Sequence, residues 1–162
     1  MKIRQVTNKD LELVTALEAA CFPVAEAASK ASLLQRIQTF PSSFLVMEEE
    51  GIIIGMINGC VTNQKTITDD LYEDAATHDP KGAYQSVFGL DVHPNHQHKG
   101  YAIQLMNALI DLARKEGRIG MILTCKEELI GFYEQFGYIN KGISASVHGG
   151  VTWYDMRLEW NA

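Results

Sequence analysis

The stretch from Gly100 to about Lys115 constrains this chain most. Its apolar residues Ala102, Leu105, Met106, Leu109, Leu112 and Ala113 recur at helical spacing, and Gly117 stands where the helix would stop. Such a helix must bury its stripe against another layer. The β-rich runs on either side, Gln85 to Val92 and Ile119 to Cys125, supply a sheet. Strand, turn and helix in that order also aim backbone N–H groups and the positive helix end at Gln97-His98-Lys99-Gly100-Tyr101-Ala102, which makes an anion site. On spacing alone, an ordinary strand-to-helix turn satisfies the same pattern. The three-glycine dinucleotide fingerprint and the Gly-Lys-Ser/Thr phosphate loop are both absent.

The rest of the chain builds around that unit. Lys2 to Val6 reads as a strand, and Thr7 as an N-cap before a helix carrying Leu11, Val14, Leu17 and Cys21. After Phe22-Pro23, a second helix is expected from about Val24 to Phe40. Phe44 to Met47 and Ile52 to Val61 form a hairpin around a Glu-rich turn. The polar segment at about 62–84 is an insertion or long loop, and Gly89 breaks the strand that follows it. A short helix over Glu127 to Phe136 and two closing strands, Tyr138 to Val147 and Val151 to Trp160, complete a single domain over 1–162. Hairpins mixed with crossovers predict an α/β or α+β fold with parallel and antiparallel pairs in one sheet.

Composition narrows the partners. With 14 Lys plus Arg against 20 Asp plus Glu, the net charge of −6 lacks the basic field that nucleic acid demands and mildly favours cationic substrates. Apolar runs such as Gly51 to Gly59 are too short to cross a bilayer, so no membrane partner is expected. Cys21, Cys60 and Cys125 are widely spaced without a paired motif, and no leader is read before Lys2, so a reduced, cytoplasmic protein is expected. His93, His96 and His98 could bind a metal, but no carboxylate or thiol completes a set, and no metal is expected.

Val92-His93-Pro94-Asn95-His96-Gln97-His98-Lys99-Gly100-Tyr101-Ala102 resembles the acetyl-coenzyme A motif of the GNAT N-acetyltransferases, Val-x-Pro-x-x-Arg/Gln-x-x-Gly-x-Gly/Ala. Gly131-Phe132-Tyr133-Glu134-Gln135-Phe136-Gly137-Tyr138 resembles the family's Phe-Tyr-x-x-x-Gly-Phe segment. The element order agrees over nearly the whole chain. The resemblance implies the GNAT fold, a central mixed sheet of six to seven twisted strands flanked by about four helices. Within the family, Cys21-Phe22-Pro23, Glu26-Ala27-Ala28-Ser29, Leu90 to His93 and Phe132-Tyr133 are similar to the serotonin, or arylalkylamine, branch. Ser86 and Phe88 stand where that branch carries two strand histidines, so its histidine proton path is absent.

The resemblance implies acetyl-coenzyme A as co-substrate, held by Leu90, Asp91, Val92, Gln97, His98, Lys99, Gly100, Tyr101, Ala102 and Tyr133. It implies direct transfer to a small primary amine, an arylalkylamine or polyamine. The backbone N–H of Leu90 would meet the developing oxyanion and Tyr133 would protonate the leaving thiolate. Glu26, His148 and Ser86 are candidate proton-relay groups, each with an ordinary structural alternative, and Glu26 is preferred because a carboxylate attracts ammonium. Phe22, Pro23, Glu26, Phe88 and Trp153 are expected around the amine. Cys125 as an acetylated nucleophile, a binding module without turnover and a protein amine as acceptor are the alternatives, and a homodimer is left open.

Overall fold

The computed structural model describes residues 1–160. Its strands are β1 (Lys2–Gln5), β2 (Phe44–Glu49), β3 (Ile52–Asn58), β4 (Val61–Thr62), β5 (Tyr84–Val87), β6 (Gly89–Val92), β7 (Gly120–Cys125), β8 (Ile139–Ile143) and β9 (Tyr154–Glu159). Its helices are α1 (Leu11–Cys21), α2 (Lys30–Thr39), α3 (Asp69–Glu73), α4 (Tyr101–Lys115) and α5 (Ile130–Glu134). The architecture is α+β, as expected, but the strands do not form one sheet. They divide into a four-stranded sheet, β1-β2-β3-β6, and a five-stranded sheet, β4-β5-β7-β9-β8.

The division has a local cause. The run Gln85 to Val92 bends at Phe88, so that β5 pairs in parallel with β7 (Ser86 opposite Ile122) while β6 pairs antiparallel with β3 (Leu90 opposite Ile57). A break at Gly89 was expected there, but not that its two halves would join different sheets. The glycine that marks the break, Gly89, has Asp91 Oδ1 within 3.2 Å of where a Cβ would stand, so a side chain would crowd that carboxylate. The two sheets diverge beyond this point and leave a cleft between β6 and β7.

Helix α4 lays Leu105, Met106, Leu109 and Ala113 against Met47, Ile57, Met121 and Leu123, spanning both sheets. Each such leucine contributes about 1.5–3 kcal/mol of apolar burial. On the opposite face, Val14 and Leu17 of α1 and Leu33 and Ile37 of α2 pack on Val46, Ile53 and Met56. Neighbouring residues of β3 thus point to different cores, as strand alternation requires.

Two expectations need correction. Helix α2 begins at Lys30, not near Val24, because Ser29 caps it by accepting the Ser32 N–H at 3.1 Å. The preceding residues form a turn in which Pro23 O accepts the N–H groups of Glu26 and Ala27, both at 2.9 Å. The segment at 62–84 contains α3, whose Leu71 joins Ile67, Ala75, Phe40, Tyr84 and Ile122 in a third core cluster. It is a packed wall of the cleft.

Candidate active site

Gly100 opens α4 in the left-handed conformation, φ 81°, and nothing lies within 4 Å of where its Cβ would be. A side chain there would be strained and would project into open space. Among the described residues, the backbone N–H groups of His98 through Ile103 have no hydrogen-bond acceptor, so the helix start presents a row of free donors. Free donors, positive helix end and clear approach together fit a phosphate-bearing ligand. The groove in front of them is lined by Leu90, Val92, His96, Gln97, His98, Gly100, Tyr101, Ala102, Phe132 and Tyr133. Gln97 is held by donating to Val92 O at 3.2 Å.

Two residues expected in this groove stand apart from it. Lys99 is exposed and absent from the lining, leaving only its backbone N–H at the turn. Asp91 is buried and points to the face of β6 opposite Leu90 and Val92, because successive side chains of a strand alternate.

A second cavity lies on the other side of Leu90. Its walls include Phe22, Tyr72, Phe88 and Trp153, with Glu18, Glu26, Asp69, Ser146 and His148 among the polar groups. Leu90, Leu129 and Tyr133 line both spaces, so groove and cavity meet at these residues. At that junction a backbone N–H and a phenol side chain come together. His93 N–H donates to Ile54 O at 2.8 Å, which fixes the phase of the β3–β6 ladder. By antiparallel alternation Asp91 N–H faces β3 and Leu90 N–H faces away, into the cleft.

Tyr133 is buried, yet it lines both the groove and the cavity. Burial raises its pKa well above the ordinary phenol value, with Cys125 and Asp91 adding to the shift. The hydroxyl therefore holds its proton at neutral pH. The Cys125 thiol also lines the cavity, and burial pushes its pKa up to about 11, with Glu128 adding to the shift. It is a neutral thiol at pH 7, a poor nucleophile.

Glu26 reaches the cavity as half of an ion pair, with Lys126 Nζ 2.8 Å from Oε1, so its charge is already met. His148 also reaches it, with Nε2 2.9 Å from Glu26 O and the ring 4.6 Å from that of Tyr72. Ser86 does not: it is fully buried and donates to Cys60 O at 2.8 Å. Phe22, Phe88 and Trp153 line the cavity, whereas Pro23 is exposed and outside it. Trp153 is fixed by donating its indole N–H to His148 O at 2.8 Å.

The residues that sequence reasoning missed sit behind this wall. Ile67, Asp69 and Tyr72 come from the segment read only as polar. Asp69 accepts the Ser146 hydroxyl and, at 3.3 Å, the Val147 N–H, which ties the final loop over the cavity. Glu18, on the inner face of α1, is 3% exposed; its Oε2 accepts the Ala28 N–H at 2.8 Å and its Oε1 has no partner. Asp91 is 1% exposed and neither of its oxygens has a fixed hydrogen-bond partner. Burial first, then the neighbouring Glu18 carboxylate, raise the Asp91 pKa well above the carboxylate range, against the attraction of Arg36. Arg36 is itself buried, donates to Asn58 Oδ1 at 3.0 Å and packs against the rings of Tyr72 and Phe88 at 4.9 and 5.1 Å. The pattern of α1 gave no signal for Glu18, since a lone carboxylate in a helix reads as a solvated one.

Comparison with known proteins agrees with this geometry. Residues 11–138 match the family model described as Acetyltransferase (GNAT) family. A curated relative, "Probable hydrolase YhcX" of Bacillus subtilis (strain 168), is 30% identical over 126 residues, 71% of this chain. The chain spans only 24% of that relative's length. Among solved structures, the GphF GNAT-like decarboxylase in complex with isobutyryl-CoA superposes with a TM-score of 0.84 at 23% identity, covering 98% of this chain and 99% of that one. The acetyltransferase yncA from Salmonella typhimurium, described as putative and solved with its cofactor acetyl-CoA, gives 0.72 at 20% identity over 100% and 95% of the two chains. With a family model matching most of its length, and with the helix-start groove and buried tyrosine in place, the chain belongs to the GNAT acetyltransferase family.

Proposed function

We propose that this chain moves an acetyl group from acetyl-coenzyme A directly to the primary amine of a small molecule. The observation that carries the reading is the junction: a groove with free N–H donors and a separate cavity meet at Leu90 and Tyr133. Acetyl-coenzyme A supplies the activated thioester, with its phosphates at the start of α4 and its sulfur end near Tyr133. Leu90 N–H then faces the carbonyl oxygen as negative charge develops there. Tyr133 gives its phenolic proton to the departing sulfur. Direct attack needs no acyl-enzyme, and the neutral, buried Cys125 thiol supports that route.

The cavity supports an amine with an aromatic or alkyl body. Its walls combine the rings of Phe22, Tyr72, Phe88 and Trp153 with the carboxylates of Glu18 and Asp69. The narrower likeness to arylalkylamine enzymes enters only through these rings, since the strand-histidine positions hold Ser86 and Phe88. Arylalkylamines and diamines incubated with the protein and acetyl-coenzyme A should release free thiol in step with the acetylamide, measured by mass spectrometry. Thiol release unaffected by any amine would remove the reading.

A further inference from the structure

The alkylammonium acceptor must lose a proton before it attacks, at a cost of roughly 4–5 kcal/mol at pH 7 for a group near the lysine value. None of the three relay groups expected from sequence is well placed for this. Glu26 is ion-paired, Ser86 is sealed, and His148 binds a backbone carbonyl. Glu18 instead lines the cavity, and its partnerless Oε1 lies 3.8 Å from the Cβ position of Gly89. Asp91 Oδ1 lies 3.2 Å from that same point. Both carboxylates thus border the space that a Gly89 side chain would fill, one residue from the Leu90 N–H.

We infer that Glu18 and Asp91 form a proton-sharing carboxyl pair that receives the acceptor's ammonium group and takes its proton, a role resting on the amine reading above. Two buried neighbouring carboxylates repel each other too strongly for both to stay ionised, so Asp91 holds a proton and donates it to Glu18. Glu18 keeps the charge and offers Oε1 to the cavity. The groups around the pair set this arrangement. Arg36 of α2 supplies positive charge, Asn58 of β3 places its amide 3.8 Å from the Gly89 Cβ position, and Tyr72 and Tyr133 approach from α3 and α5. Cys21 of α1 is held as a thiol, its pKa raised to about 12 by burial and then by Asp91 and Glu18.

The proton count closes. The ammonium N–H bond breaks and its proton goes to Glu18 Oε1. The free amine then forms the C–N bond while the C–S bond breaks. Tyr133 gives its proton to sulfur and regains one from the nitrogen that has bonded to carbon. Glu18 returns its proton to water as the amide leaves, so one proton is released per turnover, as the net reaction requires.

The test combines an activity profile with a spectrum. Glu18→Gln should lower kcat for an accepted amine at neutral pH by about 10²–10⁴-fold. The loss should shrink as pH rises and more amine is already neutral, and acetyl-coenzyme A affinity by calorimetry should stay unchanged. With 13C-labelled carboxyl groups, NMR of the free parent should show Asp91 titrating far above an ordinary aspartate, and Glu18→Gln should lower that value. A flat mutant-to-parent ratio across pH overturns the base role, and ordinary titration of Asp91 overturns the pair. If the parent accepts no primary amine while Asp91 titrates as described, the acceptor reading and the base role fail, and the shared proton stands.

Discussion

Tyr133, carried by the Phe132 to Tyr138 segment, lines both groove and cavity where they join. Tyr133→Phe keeps the ring and removes only the proton donor, so kcat should fall about 10²–10⁴-fold while acetyl-coenzyme A affinity is nearly kept. Steady-state kinetics and calorimetry together check this. Asp91 was legible only as part of a motif, and its side chain turns away from the groove. Its carboxyl binds a proton more tightly in the folded chain than in the unfolded one. The stabilisation from that proton is complete below the unfolded value of about 3.9 and is lost as pH rises through the higher folded value. Asp91→Asn should therefore gain stability relative to the parent as pH rises over that window, read by denaturant unfolding at several pH values. A constant difference across the window would contradict the buried, protonated assignment.

At the scale of elements, α4 was the most legible because its stripe follows the helical period without interruption and a glycine flanks each end. The start of α2 was not legible, since alanine and glutamate favour helix while Ser29 and the turn at Pro23 override that preference. The break at Phe88 was signalled by Gly89 but not its consequence, because which sheet a strand joins depends on partners distant in the chain. The start of α4 carries its own prediction. Gly100→Glu combines strain at φ 81° with a carboxylate facing the free N–H donors, and should abolish acetyl-coenzyme A binding in a protein whose circular dichroism is unchanged. Unaltered calorimetric affinity in that folded variant would place the phosphates elsewhere. The N-terminal turn before α1 offers a stability check. Asp10 accepts the Thr7 N–H at 2.8 Å and pairs with Arg4 at 2.8 Å, so Asp10→Ala should cost about 2–3 kcal/mol in urea unfolding.

The whole molecule works through the divergence of its two sheets. β6 belongs to one and β7 to the other, α4 packs across both, and the cleft between them holds the junction of groove and cavity. Helix order and mixed pairing could be read from periodicity and turn signals. The acceptor side could not, because its walls come from α1, the segment at 62–84, β5, β6, β7 and the loop near His148, which only folding assembles. On the proposed function, both substrates occupy this cleft together and the acetyl group passes directly between them. Initial rates of thiol release, with acetyl-coenzyme A and an accepted amine varied against each other, test it most directly. Direct transfer gives intersecting double-reciprocal lines and a Cys125→Ala variant with parental kinetics. Parallel lines together with an acetylated Cys125 would contradict it.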